Sequence, residues 1–370
     1  MKIICSKNSL LTGVNIVLRA VPVKTTMDIL ECIVIKVADG KIKLIGNDMS
    51  LAIETCIDGE IVDEGMIAVN AKIFSEIVRK LPDSEVIINN ESNTLKIRCD
   101  NVKFDISSRN ADEFPLLSEI EKDKSIRMSQ LTLKDIIRQT VFSIAPDNDS
   151  IKVMTGEYME INDKKLRLVG LDGHRIAIRN VELKENYGKY SVIIPGKTMN
   201  ELTKILSGEL EDEVTIYFGN NNILFEMEDT IVLSRLIEGK YYSVNQMISG
   251  DYDTKVSVNN KELTGCIDRS LLLIKETDKK PLIFKVTDEN LEVKINTSMG
   301  RLNEKLLINK QGNDILIAFN PKYLMDAMRV IDDEEINLYM MNVKAPCIIK
   351  DKDETYMYLV LPVNFNAEDY

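Results

Sequence analysis

The chain has 370 residues, of which 44% are hydrophobic and 29% are charged, and its formal net charge at pH 7 is −12. These values are ordinary for a water-soluble protein of two or three domains. No apolar run approaches the roughly 18 residues that a membrane-spanning helix needs, and the first residues lack the long apolar stretch of a secretory signal. The six cysteines form no CxxC pair, which argues against a zinc site and a disulfide framework and predicts reduced thiols in a cytoplasmic protein.

Six segments with apolar residues at helical spacing follow one another along the chain and predict six amphipathic helices. They span 7–24, 72–80, 133–144, 197–206, 259–276 and 321–331. The segments between them are rich in Val, Ile, Leu and Tyr, and turn signals such as Asp39-Gly40, Asn89-Asn90 and 220–222 divide them. Such runs are typical of antiparallel strands joined by hairpins, so the predicted fold class is α+β.

The chain contains an internal repeat. Segments 67–81, 192–206 and 317–331 align without gaps and place Lys72, Lys197 and Lys322 at intervals of 125 residues. Each segment predicts a short strand followed by an amphipathic helix, and a further predicted helix precedes each of them. The repeat therefore predicts three tandem domains with two helices and an antiparallel sheet each, at 1–125, 126–252 and 253–370. A charged stretch at 119–125 and a polar link at 249–254 mark the two boundaries.

Positive charge is concentrated in the predicted helices. Together they contain 15 basic and 7 acidic residues, a net charge of +8, although the whole chain carries −12. One explanation is that lysine and arginine are good helix formers on solvated faces. The other is that the helices of the three repeats share one basic face, which neutralises phosphates without reading base sequence. The same bias in five of the six helices favours the second explanation.

Six short motifs occur in a fixed order on this threefold repeat. They are Ile-Lys-Leu-Ile-Gly-Asn-Asp at 42–48, Ala-Asp-Glu-Phe-Pro at 111–115, Leu-Asp-Gly-His-Arg at 171–175, Ile-Pro-Gly-Lys at 194–197, Phe-Asn-Pro at 319–321 and Leu-Val-Leu-Pro-Val at 359–363. In this order and over essentially the whole length, the chain resembles the beta subunit of bacterial DNA polymerase III, the sliding clamp.

The resemblance implies a non-catalytic processivity factor. Two copies would join head to tail into a ring of six similar domains with the helices inside, and duplex DNA would pass through the ring without sequence-specific contacts. The ring would tether the replicative DNA polymerase, the clamp loader and repair proteins, which dock through short peptide motifs. Neither the resemblance nor the composition implies a cofactor or a metal.

Basic residues of the predicted helices are the expected DNA contacts. They are Lys24, Arg79, Arg138, Lys197 and Lys204. The resemblance points to Lys24 in particular, and the alternative is that it is an ordinary surface lysine.

Four apolar residues are the expected dimer contacts by the same resemblance. Phe104 and Ile106 lie on a predicted edge strand of the first repeat, and Leu272 and Leu273 lie at the end of the first helix of the third. Open sheet edges in the first and third repeats should also pair across the subunit boundary. The alternative is that the four side chains belong to the cores of their own domains.

The stretch 171–175 holds the only histidine, His174, and three interpretations of it remain open. Asp172 and His174 could be a fragment of an acid–base pair. However, no nucleophile motif or second histidine accompanies them. The histidine could also simply shape a hairpin. Because Gly-His-Arg appears in only one of the three repeats, we favour a task specific to the second domain, namely part of a partner-binding groove.

The resemblance implies that this groove lies between the second and third domains. Its expected residues are Met154, Leu171, Gly173, His174, Arg175, Ile176, Tyr242, Met247, Pro346, Val360, Leu361, Pro362 and Val363. Methionine and aliphatic residues would form an adaptable apolar surface, and Arg175 would hold a peptide carbonyl or carboxylate. Tyr242 stands where the family usually has proline, and Asn364 where it often has arginine, so a different peptide preference is expected. The tail 364–370 either folds over the groove or hangs free.

Two other classes of function remain as alternatives. One is an enzyme that uses His174, for which substitution of the histidine would abolish turnover. The other is a repeat-built peptide scaffold with no role in nucleic-acid binding. DNA binding that is lost when Lys24, Arg79 and Arg138 are changed to glutamate would exclude it.

Overall fold

The computed structural model describes residues 1–118, 120–248, 251–275 and 280–366. Parts of four predicted features lie outside the described residues: position 119 of the charged stretch, 249 and 250 of the polar link, 276 at the predicted end of the fifth helix, and 367–370 of the tail. The predicted α+β class is confirmed, because six α-helices lie among 25 strands along the described chain, and the strands of each sheet pair antiparallel.

The elements follow one another as the repeat predicts. The first repeat contains β1 Lys2–Ser6, α1 Lys7–Val17, β2 Cys32–Ala38, β3 Lys41–Asn47, β4 Leu51–Ile57, β5 Glu60–Asp63, β6 Gly65–Asn70, α2 Ala71–Lys80, β7 Glu85–Glu91, β8 Thr94–Cys99 and β9 Val102–Arg109. The second contains β10 Ser125–Ser129, α3 Gln130–Arg138, β11 Gly156–Asn162, β12 Lys165–Leu171, β13 Arg175–Glu182, β14 Lys189–Pro195, α4 Gly196–Leu202, β15 Glu213–Phe218, β16 Asn222–Glu226 and β17 Thr230–Arg235. The third contains β18 Thr254–Asn259, α5 Asn260–Leu271, β19 Leu282–Val286, β20 Asn290–Thr297, β21 Gly300–Gly312, β22 Ile315–Phe319, α6 Pro321–Met328, β23 Glu335–Met340, β24 Cys347–Lys350 and β25 Tyr356–Val360. Short 3₁₀ helices lie at Leu18–Ala20, Asp28–Glu31, Val141–Ser143, Lys152–Thr155 and Val244–Gln246.

Side-chain caps explain where several of the helices begin. The Asn70 side chain accepts a hydrogen bond from the backbone N–H of Ile73 at the start of α2, and Asn259 caps α5 in the same way. Asn320 caps α6, whose first residue is Pro321. An oxygen at the cap position satisfies an N–H that has no partner within the helix, and proline fits the first turn because it has no N–H to satisfy.

Most helices are shorter than the periodicity predicts. The first ends at Val17 and continues as a 3₁₀ turn to Ala20, so Lys24 lies beyond it. Pro22 cannot continue a helix, which explains why the predicted end at Lys24 is wrong. The third begins at Gln130 and ends at Arg138, followed by a 3₁₀ turn, rather than spanning 133–144.

The predicted turns are mostly present. Asp39 and Gly40 both have positive φ between β2 and β3, as a tight hairpin requires. The turn predicted at Asn89-Asn90 is wrong, because β7 continues to Glu91 and its buried Val86 and Ile88 alternate with outward residues. The chain reverses instead after Glu91, where Ser92 has a φ of +54°.

The chain folds into two compact units. Unit 1 comprises Met1–Thr132 and Lys204–Leu236, and unit 2 comprises Leu133–Thr203 and Ile237–Tyr370. This division differs from the three predicted domains, because each unit combines one repeat with about half of the second. The domain boundaries at 1–125, 126–252 and 253–370 stay a prediction.

Unit 1 contains one continuous antiparallel sheet. Its strand order is β10-β15-β16-β17-β4-β3-β2-β6-β9-β8-β7-β1-β5. Helices α1 and α2 pack together and bury residues such as Leu10, Val14, Phe74 and Val78. The first and second repeats join where β4 pairs with β17, with Ala52 opposite Leu233.

Unit 2 contains the second sheet, in the order β14-β11-β12-β13-β25-β24-β23-β18-β21-β20-β19-β22. Helices α5 and α6 pack together over a buried cluster that includes Leu263, Phe284, Leu324 and Tyr358. The second and third repeats join where β13 pairs with β25, with Arg175 opposite Val360. This pairing places the 171–175 stretch beside the last described residues of the chain.

Candidate functional site

The turn between β12 and β13 is held by one carboxylate. Asp172 Oδ1 accepts hydrogen bonds from the backbone N–H groups of His174, at 3.0 Å, and Arg175, at 3.1 Å. Gly173 has a φ of +85°, and a Cβ placed on it would meet nothing within 4 Å. Glycine therefore serves the turn through its backbone conformation, while the space above it is open. The result is that His174 projects from the turn and is exposed.

Arg175 lies beneath the turn, with a side chain only 10% exposed. Its Nε donates to Asp172 at 2.9 Å, its Nη1 to Asp326 at 2.6 Å and its Nη2 to the carbonyl of Phe142 at 2.7 Å. The guanidinium also lies 4.3 Å from the centre of the Tyr323 ring. All three nitrogens thus bind groups of the protein, and the side chain fixes the turn to α6. That Arg175 also holds a peptide carbonyl or carboxylate stays a prediction.

His174 and Asp172 do not form an acid–base pair. The Asp172 carboxylate binds two backbone N–H groups and Arg175, and the imidazole stacks on Tyr323 with ring centres 6.2 Å apart. Within the described residues, no three or more His, Cys, Asp or Glu side chains are placed together to hold a metal ion. No helix in the same part of the chain is long and apolar enough to cross a membrane.

A cluster of apolar side chains lies beside the turn on one face of the unit 2 sheet, and we call it the apolar floor. It consists of Val169, Leu171, Ile176, Ile178, Ile193, Tyr241, Val244, Ile348 and Leu359. Met154 packs against it. Three residues expected in the groove, Leu171, Ile176 and Met154, are thus brought together.

Val360 is not part of this cluster. It is fully buried in the core on the opposite face of the sheet, where it packs with residues of α5 and α6. Its neighbour Leu359 faces the apolar floor instead. Successive side chains of a strand point to opposite faces. The prediction that the Val360 side chain lines the groove is therefore wrong by one position, since Leu359 takes that face.

The remaining predicted residues form the exposed rim. Tyr242, Met247, Leu361 and Val363 are between 36% and 43% exposed, and Pro346 and Pro362 are half-buried. The N–H of Leu361 donates to the carbonyl of His174 at 2.9 Å, and that of Val363 donates to the carbonyl of Ala318 at 2.8 Å. These two bonds fix the segment after β25 against both the turn and β22.

Two cavities open at this rim. One of about 340 Å³, the Met247 cavity, is lined by Met247, Ile248, Asp251, Tyr252, Lys255, Tyr339, Met341, Ala345, Pro346, Ile348, Lys350, Glu354 and Leu359. The other, of about 320 Å³, is the His174 cavity, lined by His174, Ile274, Lys280, Pro281, Asn320, Pro321, Lys322, Tyr323, Val363 and Asn364. Two lining residues, Tyr339 and Tyr323, were not among those expected from the sequence. The Phe-Asn-Pro motif at 319–321 could have indicated Tyr323, because it begins helix α6, whose Asp326 binds Arg175.

The expected DNA contacts are divided between the units. Lys24, Arg79 and Lys204 are exposed in unit 1, and Lys197 is exposed in unit 2. Arg138, also in unit 2, is half-buried and already engaged, since its Nη2 lies 2.8 Å from the Asp332 carboxylate.

The expected dimer contacts differ in exposure. Phe104 is 37% exposed and Leu272 is 75% exposed, whereas Ile106 and Leu273 are half-buried. Strand β9 pairs with β8 over 102–107 but with β6 only at Ser108 and Arg109, so among the described residues the other side of 102–107 has no neighbouring strand. In unit 2, β21 pairs with β20 over 300–307 and with β18 only from Ile308 onwards, which leaves a similar open edge within the described part of the chain.

Three domain families match the chain in order. They are the N-terminal domain of the DNA polymerase III beta subunit at residues 1–118, its central domain at 127–243 and its C-terminal domain at 245–364. A relative from Staphylococcus epidermidis, a beta sliding clamp, is 32% identical over 98% of this chain and 99% of its own length.

Solved structures agree with this assignment. A crystal structure of the DNA polymerase sliding clamp of Bacillus subtilis is 32% identical and superposes with a TM-score of 0.93 over 99% of this chain and all of its own. A crystal structure from Eubacterium rectale, provisionally assigned as a DNA polymerase III beta subunit, is 55% identical, with a TM-score of 0.95 over 99% of this chain and all of its own.

Proposed function

We infer that this chain, which belongs to the family of the DNA polymerase III beta subunit, is a DNA sliding clamp. The observation that carries this function is that all three domain families of the subunit match in order along the chain. The wider proposal is that two copies close into a ring around duplex DNA in the cytoplasm and tether the replicative polymerase, the clamp loader and repair proteins. The proposed division into domains is 1–125, 126–252 and 253–370.

The proposed ring closes where the first domain of one copy meets the third domain of the other. The exposure of Phe104 and Leu272 and the two open strand edges, at 102–107 and 300–307, support this contact. Burying each apolar side chain would contribute roughly 1.5–3 kcal/mol, and pairing the two edges would satisfy their unpaired backbone groups. Sedimentation across a dilution series should give twice the chain mass of 42.0 kDa; a monomer at all concentrations would contradict the ring.

We propose that Lys24, Arg79, Arg138, Lys197 and Lys204 contact DNA phosphates. Four of them are exposed, and a sliding protein needs many weak contacts that exchange easily. Because Arg138 is paired with Asp332, its substitution should weaken DNA binding less than substitution of Arg79. Comparing Arg79→Glu with Arg138→Glu at several salt concentrations would test this order, and loss of binding in neither variant would favour a scaffold without a DNA role.

We propose that partner peptides dock against the exposed rim residues Tyr242, Met247, Leu361 and Val363, which the buried apolar floor supports from beneath. A partly exposed apolar surface with two adjoining cavities of more than 300 Å³ each supports this proposal. The proposed function is then binding rather than catalysis. We expect no measurable turnover in the parent chain, and therefore none that His174→Ala could abolish.

The decisive experiment for the clamp function is topological. After loading onto nicked circular DNA, the protein should stay bound through extensive washing and should dissociate once the circle is cut open. Equal retention on circular and linear DNA would reject encirclement, whatever the affinity for DNA.

A further inference from the structure

The two junctions between repeats within the chain pair equivalent strands. In unit 1, the fourth strand of the first repeat, β4, pairs with the last strand of the second, β17, and Ile53 lies opposite Val232. In unit 2, the fourth strand of the second repeat, β13, pairs with the last strand of the third, β25, and Ala177 lies opposite Tyr358. The fourth strand of the third repeat, β21, and the last strand of the first, β9, have no such neighbour among the described residues.

The fourth strands of the three repeats can be aligned residue by residue. In each repeat, the first buried residue of the third strand pairs with a residue of the fourth. Those partners in the fourth strand are Ile57, Val181 and Leu306. Four residues before them lie Ile53, Ala177 and Leu302. Leu302 therefore holds the position in β21 that Ile53 and Ala177 hold at the two junctions.

The last strands align in the same way, starting from the first strands. Three residues before the end of its first strand, each repeat has a buried apolar residue, namely Ile3, Ile126 and Val256. The residues paired with these across the next two strands lead to the last strand of each repeat. The last members of the three series are Phe104, Val232 and Tyr358. Phe104 therefore holds the position in β9 that Val232 and Tyr358 hold at the junctions.

We propose that a second copy of the chain closes the ring in this same register, with Phe104 of one copy opposite Leu302 of the other. The strands run antiparallel at both junctions within the chain. In the same arrangement, Asp105 of one copy lies opposite Arg301 of the other, and Ile106 lies opposite Gly300. The inference rests on the proposed ring and adds to it which residues meet at the subunit boundary.

The apolar side chains of the two edges fit this register. Phe104 is 37% exposed and Leu302 is half-buried, so each has surface left to bury. A Cβ placed on Gly300 would meet only the Leu273 side chain, at 3.5 Å, which leaves room for Ile106 beside Leu273. Because directly opposite residues of an antiparallel pair share a face, these side chains would form one cluster across the boundary.

The charged side chains on the other face of the two edges fit it as well. Asp105 and Arg301 are both exposed. The Asp105 carboxylate lies 2.6 Å from Arg98, but a carboxylate can accept hydrogen bonds from two arginines. Arg301 donates its Nε to Asn296, and its guanidinium has further N–H groups. The register therefore adds an ion pair across the subunit boundary.

Other registers are less favourable. A displacement by one residue would put the apolar side chains of the two edges on opposite faces. A displacement by two residues would place Lys103 opposite Lys305 in one direction and opposite Arg301 in the other, and like charges directly opposite each other destabilise a sheet. A displacement by four residues would place Phe104 opposite Leu306, which is only 6% exposed and belongs to the core of its own unit.

Cysteine cross-linking distinguishes the registers. A chain with Asp105→Cys and Arg301→Cys should form a covalent dimer on mild oxidation, because opposite Cβ atoms lie about 4.5–5.5 Å apart. A chain with Asp105→Cys and Lys305→Cys should not, since its cysteines would be four residues, or about 13 Å, out of register. The parent chain, whose six cysteines are free and mostly buried, measures the background. Cross-linking through Lys305→Cys in place of Arg301→Cys would overturn the register.

Charge exchange provides a second measurement. Asp105→Arg should weaken dimerisation at least about tenfold, because it replaces the ion pair by like charges at both subunit boundaries of the ring. Adding Arg301→Asp to this variant should restore the dimer, whereas adding Lys305→Asp should not. Sedimentation across a dilution series measures each dissociation constant, and restoration by Lys305→Asp but not by Arg301→Asp would overturn the pairing.

Failure of this inference can be told apart from failure of the proposed function. A parent chain that sediments as a dimer, with neither cysteine pair giving a covalent product, would overturn the register and leave the ring intact. A parent chain that is monomeric at all concentrations would contradict the ring itself and this inference with it.

Discussion

Two turns of the molecule have the same backbone and different surfaces: 47–51 in unit 1 and 171–175 in unit 2. In each, an aspartate, Asp48 or Asp172, accepts hydrogen bonds from the N–H groups two and three residues later. The next residue has positive φ in both, +75° at Met49 and +85° at Gly173. The carbonyls of Ser50 and His174 then accept an N–H from β17 and from the residue after β25, each at 2.9 Å.

The side chains around the two turns make the difference. The cavity beside the first turn measures about 190 Å³ and includes the polar residues Asn47, Asn222 and Arg235. Asn47 also donates to the carbonyl of Pro115 at 2.7 Å, so part of this surface is already used within the chain. At the second turn, Leu171 replaces the asparagine and Leu361 replaces the arginine. A repeated backbone thus supplies a frame at both junctions, and the side chains make the junction in unit 2 the more apolar one.

The largest expected effect concerns Arg175. The buried Leu51 occupies the equivalent position of the turn in unit 1. Arg175→Met should lower the free energy of unfolding of unit 2 by about 3–5 kcal/mol, because Asp172 and Asp326 would lose their buried partner. Urea unfolding followed by circular dichroism would measure it. Arg301→Met, at an exposed arginine of unit 2 that binds the side chain of Asn296, is the control, and an equal loss in both variants would contradict the role given to Arg175.

The next effect concerns Glu157, which is fully buried in β11. The equivalent position of the first repeat, in β2, is occupied by Ile33. Burial raises the pKa of the Glu157 carboxyl well above the usual range. The stability that depends on its protonated form is present at acidic pH, below the pKa of the unfolded chain, and is lost as the pH rises through the folded-state pKa.

Glu157→Gln cannot ionise and should therefore be more stable than the parent chain at neutral pH, by on the order of 2 kcal/mol. The difference should shrink toward pH 4, and thermal unfolding at several pH values would reveal it. Glu160→Gln, on the same strand, should show no such trend. A loss of stability in Glu157→Gln at neutral pH would mean that the interaction with the Thr140 side chain, which lowers the pKa of Glu157, outweighs the cost of burying the carboxylate.

The third effect tests the two surfaces by exchange. Leu361→Arg gives the groove the residue that unit 1 has at the equivalent place, and it should weaken polymerase binding at least about tenfold by placing a charge on an apolar rim. Unfolding should change by less than about 0.5 kcal/mol, because Leu361 is 36% exposed. Product length on primed circular DNA measures the effect. Arg235→Leu is the control, and an equal defect there would contradict the assignment of the groove to unit 2.

The smallest effect concerns the residues with positive φ. Met49→Gly should stabilise unit 1 by about 0.5–1 kcal/mol, because an L side chain is strained in this conformation, and Gly173→Met should destabilise unit 2 by a similar amount. Thermal unfolding of each variant would measure the change. Because a Cβ at Gly173 would enter open space, a much larger loss there would reveal a steric clash instead.

These contrasts show which parts of the site were predictable. The sequence singled out only the turn at 171–175, by its Gly-His-Arg motif, whereas the structure gives 47–51 the same hydrogen bonds. The partners of Arg175 were not predictable, because Asp326 is 151 residues away along the chain. The same holds for Val360 and Leu359, since hydropathy alone does not distinguish two faces that are both buried.

What the sequence determined by itself is local or periodic: the six helices, the asparagine caps of α2, α5 and α6, the hairpin at Asp39-Gly40 and the threefold repeat. These features depend on spacings of a few residues or on similarity between segments, and both can be read along a chain. The tertiary structure decided which face each side chain takes, which charges are already paired and which surface stays open. Those properties depend on the register of neighbouring strands and on residues distant in sequence, so they exist only once the sheets have formed.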